Sequence, residues 1–295
     1  MGDYTEGDYK RVVGEVGTAS FLPGTSIEIV GSFKPDTAPE HVVFDFDGTL
    51  SLVREGWPEV MVPLMVEVLQ ETGTDESPDA LSALALDFIM KLNGKQTIYQ
   101  MIRLAEEVKQ RGGTPKEPDA YKDMYHDRLM ERIRSRREKL ASGEVPPEEF
   151  LVPGSLQLLA GLRERGARVY LASGTDENFV REEAELLTVA PFFGEHIYGA
   201  VADYKSFSKA RVIERILESN QVPGDLLLGF GDGYVEIQNI KSVGGTAVAV
   251  ASDEAGRSGK PDAWKRDRLI GVGADVVIPD FAEHAQVLDY FWGKR

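Results

Sequence analysis

The chain has 295 residues, 42% of them hydrophobic, enough for a sizeable core and, as a soft prior, for about two domains. Thirty-three basic residues face 49 acidic ones, a formal net charge of -16, so the surface repels phosphate backbones and anionic lipid: nucleic acid and membranes are not expected partners, and an anionic small molecule needs a local positive site. With no cysteine, disulfides, thiolate chemistry and cysteine-based zinc sites are excluded.

Residues 1–24 mix Gly, Asp, Tyr and Lys without a clear period and read as an N-terminal tail. They contain no apolar stretch of a secretory signal, and no run of about 18 apolar residues occurs anywhere. The expectation is a soluble cytoplasmic protein. "SIEIV" (26–30) alternates weakly, as a short strand does, and "KPDTAPE" (34–40) is a loop by its prolines. "HVVFDFDGTL" (41–50) is a buried strand that ends on two acids. From Trp57 to about Leu140 the apolar residues recur at helical spacing in four segments separated by Gly, Pro and Asp clusters, which predicts four helices and no strand. The basic run "RIRSRREKL" there reads as a solvated helix face.

After Pro153 strands and helices alternate. "ARVYLAS", "HIYGAV", "DLLLGFGD", "GTAVAVAS" and "ADVVIP" read as strands, with helices between them and after the last. This rhythm predicts an α/β fold, a parallel sheet covered on both faces. The strand at 41–46 belongs to the same sheet, so the helical segment is an insertion after it. The expected organisation is a tail (1–24), a core (25–54 and 151–295) and a helical insertion (55–150). No internal repeat appears.

In such sheets the site lies beyond the carboxyl ends of the strands. Asp45 and Asp47, two apart, share one face, with Phe44 and Phe46 on the other. Two close carboxylates repel, and a divalent cation or a proton resolves this; a plain Asp-Gly turn is the alternative. Ser173 ends its strand before Gly174 and Thr175, where a hydroxyl and backbone N–H groups can hold phosphate oxygens or simply form a turn. Lys209 opens a helix against the macrodipole, with Lys205 a rival in the same loop. Asp232 and Glu236, four apart in "GDGYVEI", can offer oxygen ligands to a hard cation such as Mg²⁺, or be an acidic first turn.

Taken together and in this order, "DFDGT", "LAS", "SK" and "GDGYVE" resemble the haloacid dehalogenase superfamily of phosphatases, over about residues 41–251. The resemblance implies a Rossmann-like core with a helical C1-type cap inserted after the first motif. It implies Asp45 as nucleophile, forming an aspartyl-phosphate, and Asp47 as general acid and then base. Mg²⁺ is implied between Asp45, the Asp47 carbonyl and Asp232. Glu236 stands where an aspartate is commoner and leaves direct coordination open. Ser173, Thr49 and Gly174 are implied at the phosphate, and Lys209 as the cation shared by Asp45 and the phosphate.

The acid at Asp47 sets the chain apart from the dehalogenase and phosphonatase members, which lack it. In the cap, "NGKQT" (93–97) resembles the specificity loop, with Lys95 and Gln96 facing the leaving group or only turning the chain. Arg54 is a candidate anion contact at the hinge, and Trp57 reads as packing. The expected activity is Mg²⁺-dependent hydrolysis of a small phosphorylated metabolite, a sugar or organic-acid phosphate. A phosphomutase is the alternative, and a non-catalytic phosphate-binding protein a third reading. The oligomeric state is not predicted.

Overall fold

The computed structural model describes residues 8–14 and 17–293. Two short strands, β1 (Ser20–Phe21) and β2 (Glu28–Ile29), precede β3 (His41–Phe44). Four helices follow: α1 (Pro58–Gln70), α2 (Pro78–Lys91), α3 (Thr97–Gln110) and α4 (Pro118–Ser142). The chain then alternates through α5 (Ser155–Glu164), β4 (Arg168–Asp176), α6 (Glu177–Leu186), α7 (Ala190–Phe193), β5 (Ile197–Ala200), α8 (Lys209–Asn220) and β6 (Leu227–Gly231). It ends with α9 (Tyr234–Ser242), β7 (Thr246–Val250), α10 (Ala263–Gly271), β8 (Val276–Ile278) and α11 (His284–Trp292). Among the described residues, no helix is long and apolar enough to cross a membrane.

The strands form one sheet in the order β1-β2-β8-β7-β6-β3-β4-β5. From β8 to β5 all neighbours pair in parallel, and β1 and β2 add an antiparallel edge. The "SIEIV" strand is thus present but runs against the others. β3 lies between β4 and β6, so its carboxyl end opens where the crossovers diverge, the place such sheets use for ligands. Side chains alternate across it: Val42 and Phe44 enter one buried cluster and Val43 the other.

The four inserted helices start and stop on local signals. Pro58, Pro78 and Pro118 sit in the first turns, where a missing N–H costs nothing, and α4 ends on Gly143 at φ 72°. Leu64, Leu81, Ile89, Met101, Leu104 and Ile133 are sealed between these helices, in an apolar cluster continuous with one face of the sheet. The chain enters and leaves the insertion through two paired segments. Leu52 N–H donates to the Phe150 carbonyl (2.8 Å) and Val152 N–H to that of Leu50 (2.9 Å). α4 braces this crossing, because Arg136 donates to the carbonyls of Val53 (2.9 Å) and Glu55 (2.8 Å). The basic run is therefore ion-paired rather than merely solvated, with Arg132 on Glu59 and Arg137 on Glu182 as well.

One strand differs from its sequence reading. β4 does not stop at Ser173 but continues to Asp176, with a shift of register against β5 between Ala172 and Asp176. The shift lets Ser173, Gly174 and Thr175 turn toward the sheet's carboxyl edge while the strand is still paired.

Candidate active site

Asp45 is the first residue past β3, and its N–H still joins the ladder, donating to the Phe230 carbonyl at 2.9 Å. Its side chain is buried, and Oδ1 accepts from Lys209 Nζ at 2.8 Å. Lys209 is the first residue of α8, whose N-cap Ser208 accepts from Arg211 N–H. A buried ammonium at a helix N-terminus needs anions, and it has two: Asp45 and Glu236 both bond Lys209. Lys205, the rival in sequence, is exposed.

Asp47 lies on the other side of the cleft. Its Oδ2 accepts from Thr175 Oγ1 at 2.8 Å, while Oδ1 lies 3.8 Å from Arg54 Nε and, among the described residues, has no hydrogen bond. Arg54, the candidate anion contact, lines the cleft, with its guanidinium already paired to an acid of the core. It is buried and clamped in two-pronged fashion on the sealed Glu183 of α6, at 2.8 and 3.0 Å.

Asp232 follows β6 and completes the trio of acids. Its N–H donates to Thr49 Oγ1 at 3.0 Å, and its Oδ2 is 2.9 Å from Lys265 Nζ. Thr49 is fully buried behind Asp232 and does not line the cleft, so its hydroxyl serves the acid rather than the phosphate position expected of it. Lys265, from α10, also bonds Glu254 (2.7 Å) and Ser252 (2.9 Å). Gly48 between Asp47 and Thr49 has φ +77°, and a Cβ there would stand 2.3 Å from Asp232 Oδ2, so the approach of these loops requires glycine.

The insertion closes the cleft from above with residues 93–97. Gly94 packs against the Gly233 backbone, and a side chain on Gly174 would press on the Lys95 carbonyl at 3.1 Å. Gln96 does not face the cleft as expected; its amide nitrogen Nε2 donates to the carbonyls of Tyr204 (3.2 Å) and Phe207 (2.9 Å) and so ties the loop to the core. Lys95 does line the cleft, and its ammonium is 2.7 Å from Asp8 Oδ1. Trp57 both packs on the apolar cluster and forms part of the wall. Ser173 lines the cleft with its Oγ accepting from Thr175 N–H at 3.1 Å, a local turn that leaves the hydroxyl proton available.

Burial pushes the Asp45 carboxyl up to about 6, against the pull of Lys209 and with the repulsion of Asp232. Burial pushes Asp47 up to about 7, against the pull of Arg54. Burial thus raises Asp47 further than Asp45, the order that favours a carboxylate at Asp45 and a proton on Asp47.

Repulsion from Asp232 adds to the burial that raises Asp45, and both carry hard oxygen donors. Among the described residues no three His, Cys, Asp or Glu side chains converge as a metal cluster. A cation here would therefore draw on two carboxylates, a backbone carbonyl and water, a donor set that suits Mg²⁺ better than zinc. Glu236 is spoken for by Lys209 through Oε1, but its Oε2 is buried with no hydrogen-bond partner among the described residues. That leaves it free to accept from a water.

Sequence reasoning missed Thr175 as the group that holds Asp47, Glu183 as the anchor of Arg54, Lys265 behind Asp232, and Asp8 on Lys95. Thr175 was within reach, because it follows Ser173 directly. The other three come from segments distant in the chain and carry no local signal.

A family model described as haloacid dehalogenase-like hydrolase matches residues 39–244. A comparison with curated proteins finds no match to the sequence. Among solved structures, a predicted phosphatase from Clostridium acetobutylicum superposes with TM-score 0.55 at 18% identity, covering 86% of this chain and 100% of the other. A beta-phosphoglucomutase from Clostridium difficile gives 0.55 at 14% identity, covering 85% and 96%. A predicted phosphoglycolate phosphatase from Haemophilus somnus gives 0.52 at 16% identity, covering 85% and 99%. At these identities the structural likeness establishes the fold.

Proposed function

The chain belongs to the haloacid dehalogenase-like hydrolases, and within that family we propose that it is a Mg²⁺-dependent phosphatase of a small phosphorylated metabolite, a sugar or organic-acid phosphate, working through an aspartyl-phosphate. The observation that carries this reading is the opposite treatment of two acids in one cleft. Asp45 is bonded to an ammonium, and Asp47 to a hydroxyl.

In the first step an Asp45 carboxylate oxygen attacks phosphorus, the bond from phosphorus to the ester oxygen breaks, and the Asp47 proton passes to the leaving oxygen. In the second step water attacks the aspartyl-phosphate. Asp47, now a carboxylate, takes the water's proton, and phosphate leaves with Asp45 restored. Lys209 offsets charge on Asp45 and on the phosphoryl oxygens, and the Ser173 hydroxyl and the Gly174 backbone hold those oxygens. Asp45, Asp232 and the Asp47 carbonyl would hold the cation, with Glu236 steadying Lys209 and a water. Once bound, Mg²⁺ supplies a positive centre that relieves the repulsion among carboxylates and phosphate. The helical insertion, read as the cap, excludes water through the loop at 93–97.

The test is release of inorganic phosphate from a panel of phosphorylated metabolites, with Mg²⁺ and with a chelator. Phosphate release that depends on Mg²⁺ supports the reading. An isomeric product in place of phosphate identifies a mutase, and no turnover of any compound contradicts both.

A further inference from the structure

The tail crosses from the core to the insertion at the mouth of the cleft. Val12 and Val13 N–H groups both donate to the Gly271 carbonyl at the end of α10, at 2.8 and 3.1 Å. Arg11 grips Asp267 of the same helix at 2.9 and 3.1 Å. Tyr9 meets Tyr234 edge-on at 5.6 Å, and the Arg268 guanidinium lies 4.3 Å from the Tyr9 ring and 4.8 Å from the Tyr234 ring. Arg268 in turn donates to the Lys91 carbonyl at the end of α2, at 2.6 Å. Tyr234 begins the helix that carries Glu236. Beyond Tyr9, Asp8 reaches Lys95.

The Lys95–Asp8 pair is lopsided: the Lys95 side chain is 5% exposed and that of Asp8 91%. A nearly buried ammonium is costly without an anion. An exposed carboxylate at the end of a strap gives up its partner at little cost. Residues 8–14 lie outside the stretch 39–244 that matches the family model, so this contact belongs to the chain's own N-terminal segment.

We propose that residues 8–14 are a strap in which Asp8 occupies the Lys95 ammonium until an anionic group of the substrate, other than the reacting phosphate, displaces it. The strap keeps the loop at 93–97 docked while the cleft is empty and yields the lysine when such a ligand enters. The substrate class that fits is a phosphate ester with a second anionic group, and this part rests on the phosphatase reading above.

The experiment uses the full chain. Phosphoglycolate, which has a carboxylate beside its phosphate, is measured as a competitive inhibitor of para-nitrophenyl phosphate hydrolysis, for the unchanged protein and for Asp8→Asn. The strap predicts that Asp8→Asn tightens phosphoglycolate binding by about two- to fivefold, the range of an exposed ion pair, and leaves the KM for para-nitrophenyl phosphate unchanged. In a Lys95→Gln background Asp8→Asn has no further effect. Binding of phosphoglycolate that is unchanged or weaker in Asp8→Asn overturns the competition. Hydrogen exchange of the amides at 93–97 reads the strap without any catalysis: Tyr9→Ala speeds it if the strap holds the loop, and unchanged exchange overturns that claim. If no phosphate ester is turned over, the phosphatase reading fails while the exchange measurement still decides whether the strap exists.

Discussion

The two walls of the cleft treat the same side chain in opposite ways. On one wall Asp45 faces Lys209, which is itself steadied by Glu236, and a buried carboxylate is offset by a buried ammonium. On the other wall Asp47 faces the Thr175 hydroxyl, while the nearest cation, Arg54, is clamped on Glu183 and stays 3.8 Å away. Each cation has a glutamate of its own, but Lys209 bonds Asp45 directly whereas Arg54 stands off from Asp47, so burial raises Asp47 further. A nucleophile and a proton donor can thus be made from identical residues two apart, provided one is bonded to its cation and the other is held away from it.

Removing the oxygen that attacks should have the largest effect. Asp45→Asn is expected to lower kcat by at least about a thousandfold with the fold intact, because an amide does not form the acyl-phosphate. Circular dichroism alongside the rate assay checks this, and substantial turnover in a folded variant sinks the assignment.

Asp47→Asn should cost about a hundred- to ten-thousandfold on an alkyl phosphate, whose leaving oxygen needs a proton. With para-nitrophenyl phosphate the loss in the first step should be far smaller, since that leaving group is weakly basic. Equal losses on both esters under single-turnover conditions would place Asp47 outside proton transfer.

The pH profile sharpens the same contrast. Asp45, raised to about 6, must be ionised, and Asp47, raised to about 7, must be protonated. The value of kcat/KM for an alkyl phosphate should therefore fall as pH rises through about 7, and in Asp47→Asn this alkaline limb should vanish, while the acid limb set by Asp45 should lie lower with Mg²⁺ bound than burial alone would put it.

Stability without metal follows from the same shifts. A carboxyl whose folded pKa lies above its unfolded value contributes stability below the unfolded value, and loses it as pH rises through the folded one. Asp47 starts from 3.8 and reaches about 7, so its ionisation destabilises the fold progressively over that window. Asp47→Asn removes this, and with the side chain 28% exposed the expected gain at pH 8 is about 1–3 kcal/mol, read by urea unfolding in chelator. No gain, or a gain that is the same at pH 4, contradicts the assigned shift.

Much of this was legible in the sequence because it is local. The alternation of strands and helices gives the sheet, the helical spacing after Trp57 gives the insertion, and "DFDGT" and "GDGYVE" place three acids at strand ends. What escaped depends on chain returning from far away. Lys265 sits in an ordinary amphipathic helix, and only the fold brings it to Asp232. Thr49 and Gln96 were placed at the substrate on their motif positions, but both spend their polar atoms on neighbouring loops, since a buried side chain must satisfy those first. The extent of β4 was misjudged for a related reason: Ser173-Gly174-Thr175 reads as a turn, yet pairing with β5 resumes at Asp176.

Everything proposed for the cleft turns on a covalent intermediate at Asp45. A single turnover with excess enzyme and radiolabelled alkyl phosphate, quenched in acid at early times and digested, reads it directly. Transient label is expected on the peptide that contains Asp45, forming as alcohol is released and decaying as phosphate appears. Phosphate released at the same rate as alcohol, with no label on that peptide at any time, would contradict it.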